Sequence, residues 1–496
     1  VTAFAAVPGS SPHGAALLAI AAAVRGDVDL VTVKTESLSH VERIGDARMF
    51  RVPVGEAGAL EQRVMFDRAV ARQLEAEPYD VVHVRGPFEG AIAADRKDAF
   101  GFQLVYEMAT FPDEALGAGV ERRWSEAHAK SIEHADLVLV PTEAARRAVL
   151  ESVPSDRVIV LPPGIDVGSF DWRPSSHESV PRLLYLGSFT ADRDLATMLR
   201  ALRRVVQTRP VRALIAGETD RHRREQMRAM VDAFELGGVV EVRGEPPPRT
   251  LPKIIAGADL CLAPASEAPR FQSLGDLPQP LLEYLACHRP VIAAGVPGVS
   301  DALRDEQEGL LYPPGDESAL ADAILEMLRD ESLRARTTES GYRRVRELFS
   351  SGARRRRIAE IYERLAPGSQ NADPWDESFE DGETGALQVA SISSLVTPQT
   401  GDRDEPVHEL FADSPTDRGE EIGADSEEPT THNALVIADS QSAIELDTNE
   451  VLVVKTQPGE EITRDIPAHL DTDPGLLPID AIAPEATRRT TDTDPG

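Results

Sequence analysis

Glu283 is the residue in this chain whose surroundings most clearly suit chemistry. It falls at the start of a short apolar helix in the stretch PQPLLEYLACHRPVIAAG. A Gly/Pro turn, a second short helix and another apolar strand follow it as far as Asp316. A carboxylate accepts two hydrogen bonds from a diol, and the amides and dipole at a helix start favour an anion. An acid in this setting therefore suits a sugar or a phosphate. Other candidates close apolar strand patterns: Gly187 and Ser188, Gly217 and Glu218, His83 and Arg85, and Glu107. His13 and Gly14 end a small-residue loop after the first strand, where a glycine lets backbone approach a ligand. His83 fits two readings, a ring facing a cleft or a histidine satisfied in the core. The triplet Asp192-Arg193-Asp194 has the form of a divalent-ion loop, but such triplets arise by chance, and no metal site is assigned. Cys261 and Cys287 lie in apolar segments with no CxxC pair, which reads as two buried reduced thiols and no zinc or redox motif.

Positioning these residues calls for a particular scaffold. Val/Ile/Leu-rich runs over 1–7, 28–33, 51–54, 80–84, 104–107, 137–140 and 158–161 alternate with helical patterns over 14–24, 59–77, 122–134 and onward from Glu143, behind a Thr142 cap. After a polar linker, 172–181, the pattern restarts. Strand runs cover 182–186, 211–216, 239–243, 259–263, 290–294 and 310–312, and the last helices cover 318–329, 334–349 and 353–365. Short apolar strands separated by helices make parallel sheets covered on both faces. The expected fold is thus α/β, with two doubly wound Rossmann-like units facing a cleft. In such units ligands sit beyond the carboxyl ends of the strands. The expected division is 1–165, 166–349, a helix over 350–365 crossing back to the first unit, and a tail over 366–496. Hinges are expected near Pro162–Gly164 and near 345–352.

Charge separates the tail from the rest. The 496 residues carry a formal charge of −32, of which the segment 366–496, with 30 acids against 6 bases, holds −24. An acidic chain of this kind argues against nucleic acid as a partner, because phosphate backbones need clustered Lys/Arg. The run Arg354–Arg357 reads as a solvated helix face or a contact with acidic lipid. The tail is rich in Asp, Glu, Thr, Pro and Ser, a composition that cannot offset its ordering entropy. It is expected to be mostly disordered, broken by apolar islands at 387–396 and 433–455, and able to dock protein partners. No run reaches the roughly 18 apolar residues of a membrane span. The expected location is cytoplasmic, at most peripheral to the inner face of the membrane.

The order of the pieces carries a resemblance. A loop glycine after the first strand is followed by DVVHVRG, ADLVLVPTEAARR, VIVLPPGID, LLYLGSF, ALIAGE, VRGEPPPRTLP, ADLCLAPAS, PLLEYLACHRPVIAAG and EGLLYPPGD. Over residues 1–365 the chain resembles the group 1 (family 4) glycosyltransferases of the GT-B fold. The resemblance implies a retaining transferase that needs no cofactor and moves a sugar from a nucleotide-sugar donor to a glycan, lipid-linked or small-molecule acceptor. The donor would lie on the second unit and the acceptor on the first. Glu283 matches the second acid of the family's E-x7-E motif, which contacts the nucleotide ribose. The resemblance further implies a donor side formed by Gly187, Ser188, Arg193, Gly217, Glu218, Pro280, Leu281, Leu282 and Glu283. It implies an acceptor side formed by His13, Gly14, His83, Arg85 and Glu107, and catalytic roles for Glu283, Arg193 and His83. The chain also departs from the pattern. The first acid of the motif is replaced by Gly275, with Asp276 beside it as a substitute. The usual Arg is Ser188 and the usual Lys is Arg193. His13 stands for a glycine, and the histidine expected at 109 or 110 is absent. Asp301 matches a family Glu. These departures keep two alternatives open, a degenerate module that binds without turnover and a sugar-nucleotide epimerase.

Overall fold

A computed structural model describes residues 1–465 except 7–11, 25, 35–38, 46, 56–58, 110–117, 171–179, 219, 366–442, 447–450 and 457–459. The first half is built from β1 (Thr2–Ala6), α1 (Pro12–Ala23), β2 (Asp29–Val33), β3 (Val41–Ile44), β4 (Ala47–Val52), α2 (Ala59–Ala76), β5 (Val81–Val84), α3 (Pro87–Phe100), β6 (Gln103–Glu107), α4 (Ala118–His134), β7 (Leu137–Val140), α5 (Glu143–Val149) and β8 (Val158–Val160). Its eight strands run in the order β3-β4-β2-β1-β5-β6-β7-β8, parallel except for the β3–β4 pair. The second half follows with α6 (Val167–Phe170), β9 (Arg182–Leu186), α7 (Leu195–Thr208), β10 (Arg212–Ala216), α8 (Arg221–Ala233), β11 (Val240–Val242), α9 (Leu251–Ala256), β12 (Leu260–Ala263), α10 (Pro269–Gln272), α11 (Gln279–Ala286), β13 (Val291–Ala294), α12 (Pro297–Ala302), β14 (Leu310–Tyr312), α13 (Glu317–Arg329), α14 (Glu331–Leu348) and α15 (Ser351–Leu365). Its six strands form a fully parallel sheet in the order β11-β10-β9-β12-β13-β14. These are the two Rossmann-like units that the strand pattern implies, in the GT-B architecture that the resemblance implies.

Three details differ from the sequence reading. The run read as one short strand near 51–54 is the second arm of an antiparallel hairpin, β3–β4, turning at Gly45. Arg48 and Arg51 interrupt the apolar residues of β4, and β3 alternates exposed and half-buried residues, so the pattern is faint. Helix α3, unmarked by the sequence reading, bridges β5 and β6. Its N-terminus follows Gly86, and Gly101 ends it in a left-handed turn at φ 74°. Helix α1 begins at Pro12, so His13 belongs to a helix rather than to the loop before it.

The two halves are joined where the chain crosses twice. Ile165 donates to the Phe349 carbonyl and Ser351 donates back to the Ile165 carbonyl, each at 2.8 Å, forming a parallel bridge between the two crossings. Helix α15 then returns to the first half, where Ile358 and Ile361 join a core with Ile20, Val105, Leu139 and Ile159. Cys261 and Cys287 are both buried, and neither is in a disulfide.

Most of the tail expected to be disordered lies outside the described residues, including the island at 387–396. Within it, β15 (Ala443–Leu446), β16 (Val451–Thr456) and β17 (Glu460–Asp465) form a three-stranded antiparallel meander. Among the described residues, no helix is long and apolar enough to cross a membrane.

Candidate active site

Two glycines set the floor of the second half's carboxyl edge. Gly187 follows β9 at φ 148° and Gly217 follows β10 at φ 119°, values open to glycine. A Cβ on Gly217 would stand 2.7 Å from the Gly187 nitrogen, so the two loops can lie back to back only without side chains. Tyr284 accepts the Leu186 amide at 2.7 Å, which anchors α11 to the end of β9.

Glu283 lies in the second turn of α11, one turn beyond the helix start expected from sequence. It is buried, and its Oε1 accepts from Gln279 Nε2 at 3.1 Å. Burial pushes its carboxyl up to about 7, opposed by that single side-chain bond. A carboxyl so poised can gain strong partners when a ligand arrives. The segment before it offers fewer anion-binding amides than the sequence reading supposed. Pro280 has no N–H, the Leu281 amide donates to the Pro278 carbonyl at 3.1 Å, and Leu281 and Leu282 are fully buried.

Arg193 ends a 3-10 turn over Ala191–Arg193, its guanidinium 5.2 Å from the Phe271 ring centroid. Its Nε is buried without a hydrogen-bond partner among the described residues. The triplet around it divides its acids between separate structural duties. Asp192 pairs with Arg270, while Asp194 caps α7 from a left-handed backbone at φ 48°. Ser188 closes its loop through a 3.1 Å contact with Thr190 Oγ1. Glu218, read from sequence as a donor ligand, is a buried brace: Oε2 accepts the Phe189 amide at 3.0 Å and Oε1 the Asp220 amide at 2.9 Å. It shapes the loop that carries Ser188.

The first half brings three predicted acceptor-side residues together, but as a buried clasp. His83, Arg85 and Glu107 meet Arg354 and Tyr362 of α15. Glu107 Oε1 accepts from Arg85 at 2.9 Å and from Arg354 at 2.7 Å, and Oε2 lies 3.2 Å from His83 Nε2. Burial works to raise the Glu107 carboxyl, but Arg354, Arg85 and the His83 bond outweigh it and hold it well below the usual range. His83 is 0% exposed, and its Nδ1 lies 2.9 Å from the Tyr362 hydroxyl. Burial lowers its pKa, so the neutral ring donates from Nε2 to the carboxylate and accepts from the tyrosine. Both ring nitrogens of His83, read from sequence as a catalytic residue, are thus engaged inside the buried clasp. Arg354 is likewise not on a solvated face. Its side chain is buried, and Nη1 donates to the Pro162 carbonyl at 2.7 Å, tying α15 to the crossing. Gly14 is buried in α1, and the His13 side chain lies outside the described residues.

The two halves touch at the position where the motif's first acid is missing. Gly275, at φ 62°, presents its carbonyl to Thr142 Oγ1 at 2.8 Å, and the same hydroxyl accepts the Ala145 amide to cap α5. Beside it, Asp301 Oδ2 accepts the Ala144 amide at 2.7 Å, so an acid of the second half caps a helix of the first. A Cβ on Gly275 would lie 2.5 Å from the Ala145 nitrogen and 2.6 Å from Thr142 Oγ1. No side chain fits there while the halves are in contact. Sequence reasoning identified Thr142 as a cap and Asp301 as a family match, but nothing local in the chain signals that they meet across the cleft.

Comparison with known proteins agrees with this architecture. Residues 10–164 match the Glycosyl transferase 4-like domain and residues 180–330 match Glycosyl transferases group 1. The chain is 28% identical over 330 residues to a phosphatidyl-myo-inositol mannosyltransferase of Mycobacterium leprae, covering 64% of this chain and 82% of the relative. It is 27% identical over 339 residues to a D-inositol 3-phosphate glycosyltransferase of a Nocardioides species, covering 61% and 72%. Among solved structures, sucrose-phosphate synthase of Thermosynechococcus elongatus aligns with a TM-score of 0.60 at 22% identity, covering 71% of this chain and 92% of that one. Anabaena HepE in complex with UDP and glucose aligns at 0.57 and 17%, covering 73% and 98%. At these identities the two structures share the fold.

Proposed function

Because the chain belongs to the group 1 glycosyltransferases of the GT-B fold, we propose that it transfers a sugar with retention of anomeric configuration. In this reading residues 166–349 hold a nucleotide-sugar donor and residues 1–165 hold the acceptor. The observation that carries the reading is Glu283, a buried carboxyl raised to about 7 with one side-chain partner, on the helix that Tyr284 anchors to the end of β9. Its role is to accept two hydroxyls of the nucleotide ribose, which replace the lost hydration of the carboxylate. Arg193 faces the departing diphosphate, where a guanidinium can make two parallel bonds. The sugar–diphosphate bond breaks, the acceptor oxygen bonds to the same face of the sugar, and the acceptor proton passes to a diphosphate oxygen. No side chain of this chain is assigned as base. The relatives named above act on phosphatidyl-myo-inositol and on D-inositol 3-phosphate, so a phosphorylated inositol is the first acceptor to offer.

The test is nucleoside diphosphate release by mass spectrometry, with UDP-, GDP- and ADP-sugars offered with and without inositol phosphate. Release that depends on the acceptor, and is lost in Glu283→Ala, is the expected result. Folded protein that releases no diphosphate from any donor refutes the reading.

A further inference from the structure

Arg270 connects the two donor-side loops and has no place in the motif match. It lies on α10, between β12 and α11. Its Nη1 donates to Asp192 Oδ2 at 3.0 Å, and its Nε and Nη2 donate to Asp276 Oδ2 at 2.9 and 2.6 Å. Its backbone carbonyl accepts the Asp276 amide at 2.9 Å. Its guanidinium lies 5.2 Å from the Phe271 centroid, the same distance as that of Arg193. Both acids are buried, Asp192 at 3% exposure and Asp276 at 7%.

We propose that Arg270 is a positioning residue for the donor diphosphate: by occupying Asp192 and Asp276 it keeps Arg193 unpaired and aimed at the ligand. The proposal rests on the donor-site reading above. Asp192 precedes Arg193 in one tight turn, and two buried carboxylates without a counterion would capture the nearest cation. With serine at 188, Arg193 is the cation that remains of the usual basic pair, so its capture would remove the side-chain charge facing the leaving group. Arg270 instead takes the acids, and Arg193 rests against Phe271 with its buried Nε unpartnered. The same contacts explain why Asp276 is a poor substitute for the missing motif acid: one of its oxygens is committed to Arg270.

The experiment measures Kd for UDP, GDP and ADP, and for the matching nucleosides, by calorimetry on the full chain. Arg270→Gln is expected to weaken the preferred diphosphate tenfold or more while nucleoside affinity stays within twofold. Adding Arg193→Gln to Arg270→Gln should cost less than a further twofold. Adding Asp192→Asn and Asp276→Asn, which removes the competing acids, should restore diphosphate affinity to within threefold of wild type. Equal losses for nucleoside and diphosphate, or additive losses with Arg193→Gln, would show a merely structural role and overturn the proposal. If Arg270→Gln fails to fold, the triple variant alone decides: within threefold supports the proposal, and a tenfold loss overturns it. A wild type that binds none of the three diphosphates overturns the donor-site reading itself, and that failure is distinct from the others.

Discussion

Replacing Gly275 with alanine tests whether the contact between the halves has taken over the position of the missing acid. The new Cβ would stand 2.5 Å from the Ala145 nitrogen, 2.6 Å from Thr142 Oγ1 and 3.1 Å from the Ala144 carbonyl carbon. Most of these atoms are backbone at the start of α5, so no flexible side chain can yield. One response is for α5 to withdraw. That breaks the Thr142–Gly275 bond, a loss of about 1 kcal/mol, and the Asp301–Ala144 bond, a charged pair worth about 1.5–3 kcal/mol. The other is for the loop to abandon φ 62°, which alanine already disfavours by about 1–2 kcal/mol. Withdrawal of α5 thus forfeits about 2.5–4 kcal/mol of contact, roughly a 70-fold or larger shift toward separated halves. Small-angle scattering should show an enlarged radius of gyration for Gly275→Ala, and kcat for donor turnover should fall at least tenfold. Nucleotide Kd should stay within threefold, because Glu283 and Arg193 lie in one half. Wild-type scattering together with a wild-type rate would refute the argument.

Three further predictions concern titration and the clasp. A carboxyl raised in the folded state contributes stability below its unfolded value and loses it as pH rises through the folded value. In the ligand-free protein, Glu283→Gln should therefore remove part of the decline in melting temperature between about pH 4.5 and 7; Asp67, also raised to about 7 by burial, cancels in the comparison of the two proteins. Identical pH profiles would refute the raised carboxyl. In the clasp, Arg354→Met leaves Glu107 buried beside Arg85 alone and frees the Pro162 carbonyl, an expected loss of about 3–5 kcal/mol in denaturant unfolding. His83→Gln should lower the melting temperature with little effect on kcat/KM, and a hundredfold fall in kcat/KM at an unchanged melting temperature would restore His83 as a catalyst.

The parallel sheets were legible because their strands are buried on both faces and read as continuous apolar runs: β7 is LVLV and β13 is VIAA, with every residue buried. The β3–β4 hairpin was not, because one face of it is wet. Glu283 could be found because a helix, a strand and a turn follow it in fixed order. His83 and Arg354 are polar residues at a strand end and in a charged run, where sequence suggests a ligand-facing or solvated role. Both instead bond to partners far along the chain, 279 residues away for His83 and Tyr362 and 247 for Arg354 and Glu107. Long-range pairing of this kind leaves no periodic trace.

The loop from Gly275 to Tyr284 is tied to three places. Gly275 bonds to α5 of the other half, Asp276 to Arg270, and Tyr284 to the end of β9. Donor binding and contact between the halves therefore act on one short segment. Any free energy that a ligand ordering Glu283 and Arg193 adds to the contact at Thr142 is returned by linkage to the ligand's affinity, a coupling that the threefold limit on Kd in Gly275→Ala holds below about 0.7 kcal/mol. A side chain at 275 would separate these events, because its Cβ would force α5 away. The glycine at this position thus does more than remove a carboxylate. It lets the loop before α11 and the first half pack closely at the start of α5, and Asp301, also supplied by the second half, completes the cap of α5 there.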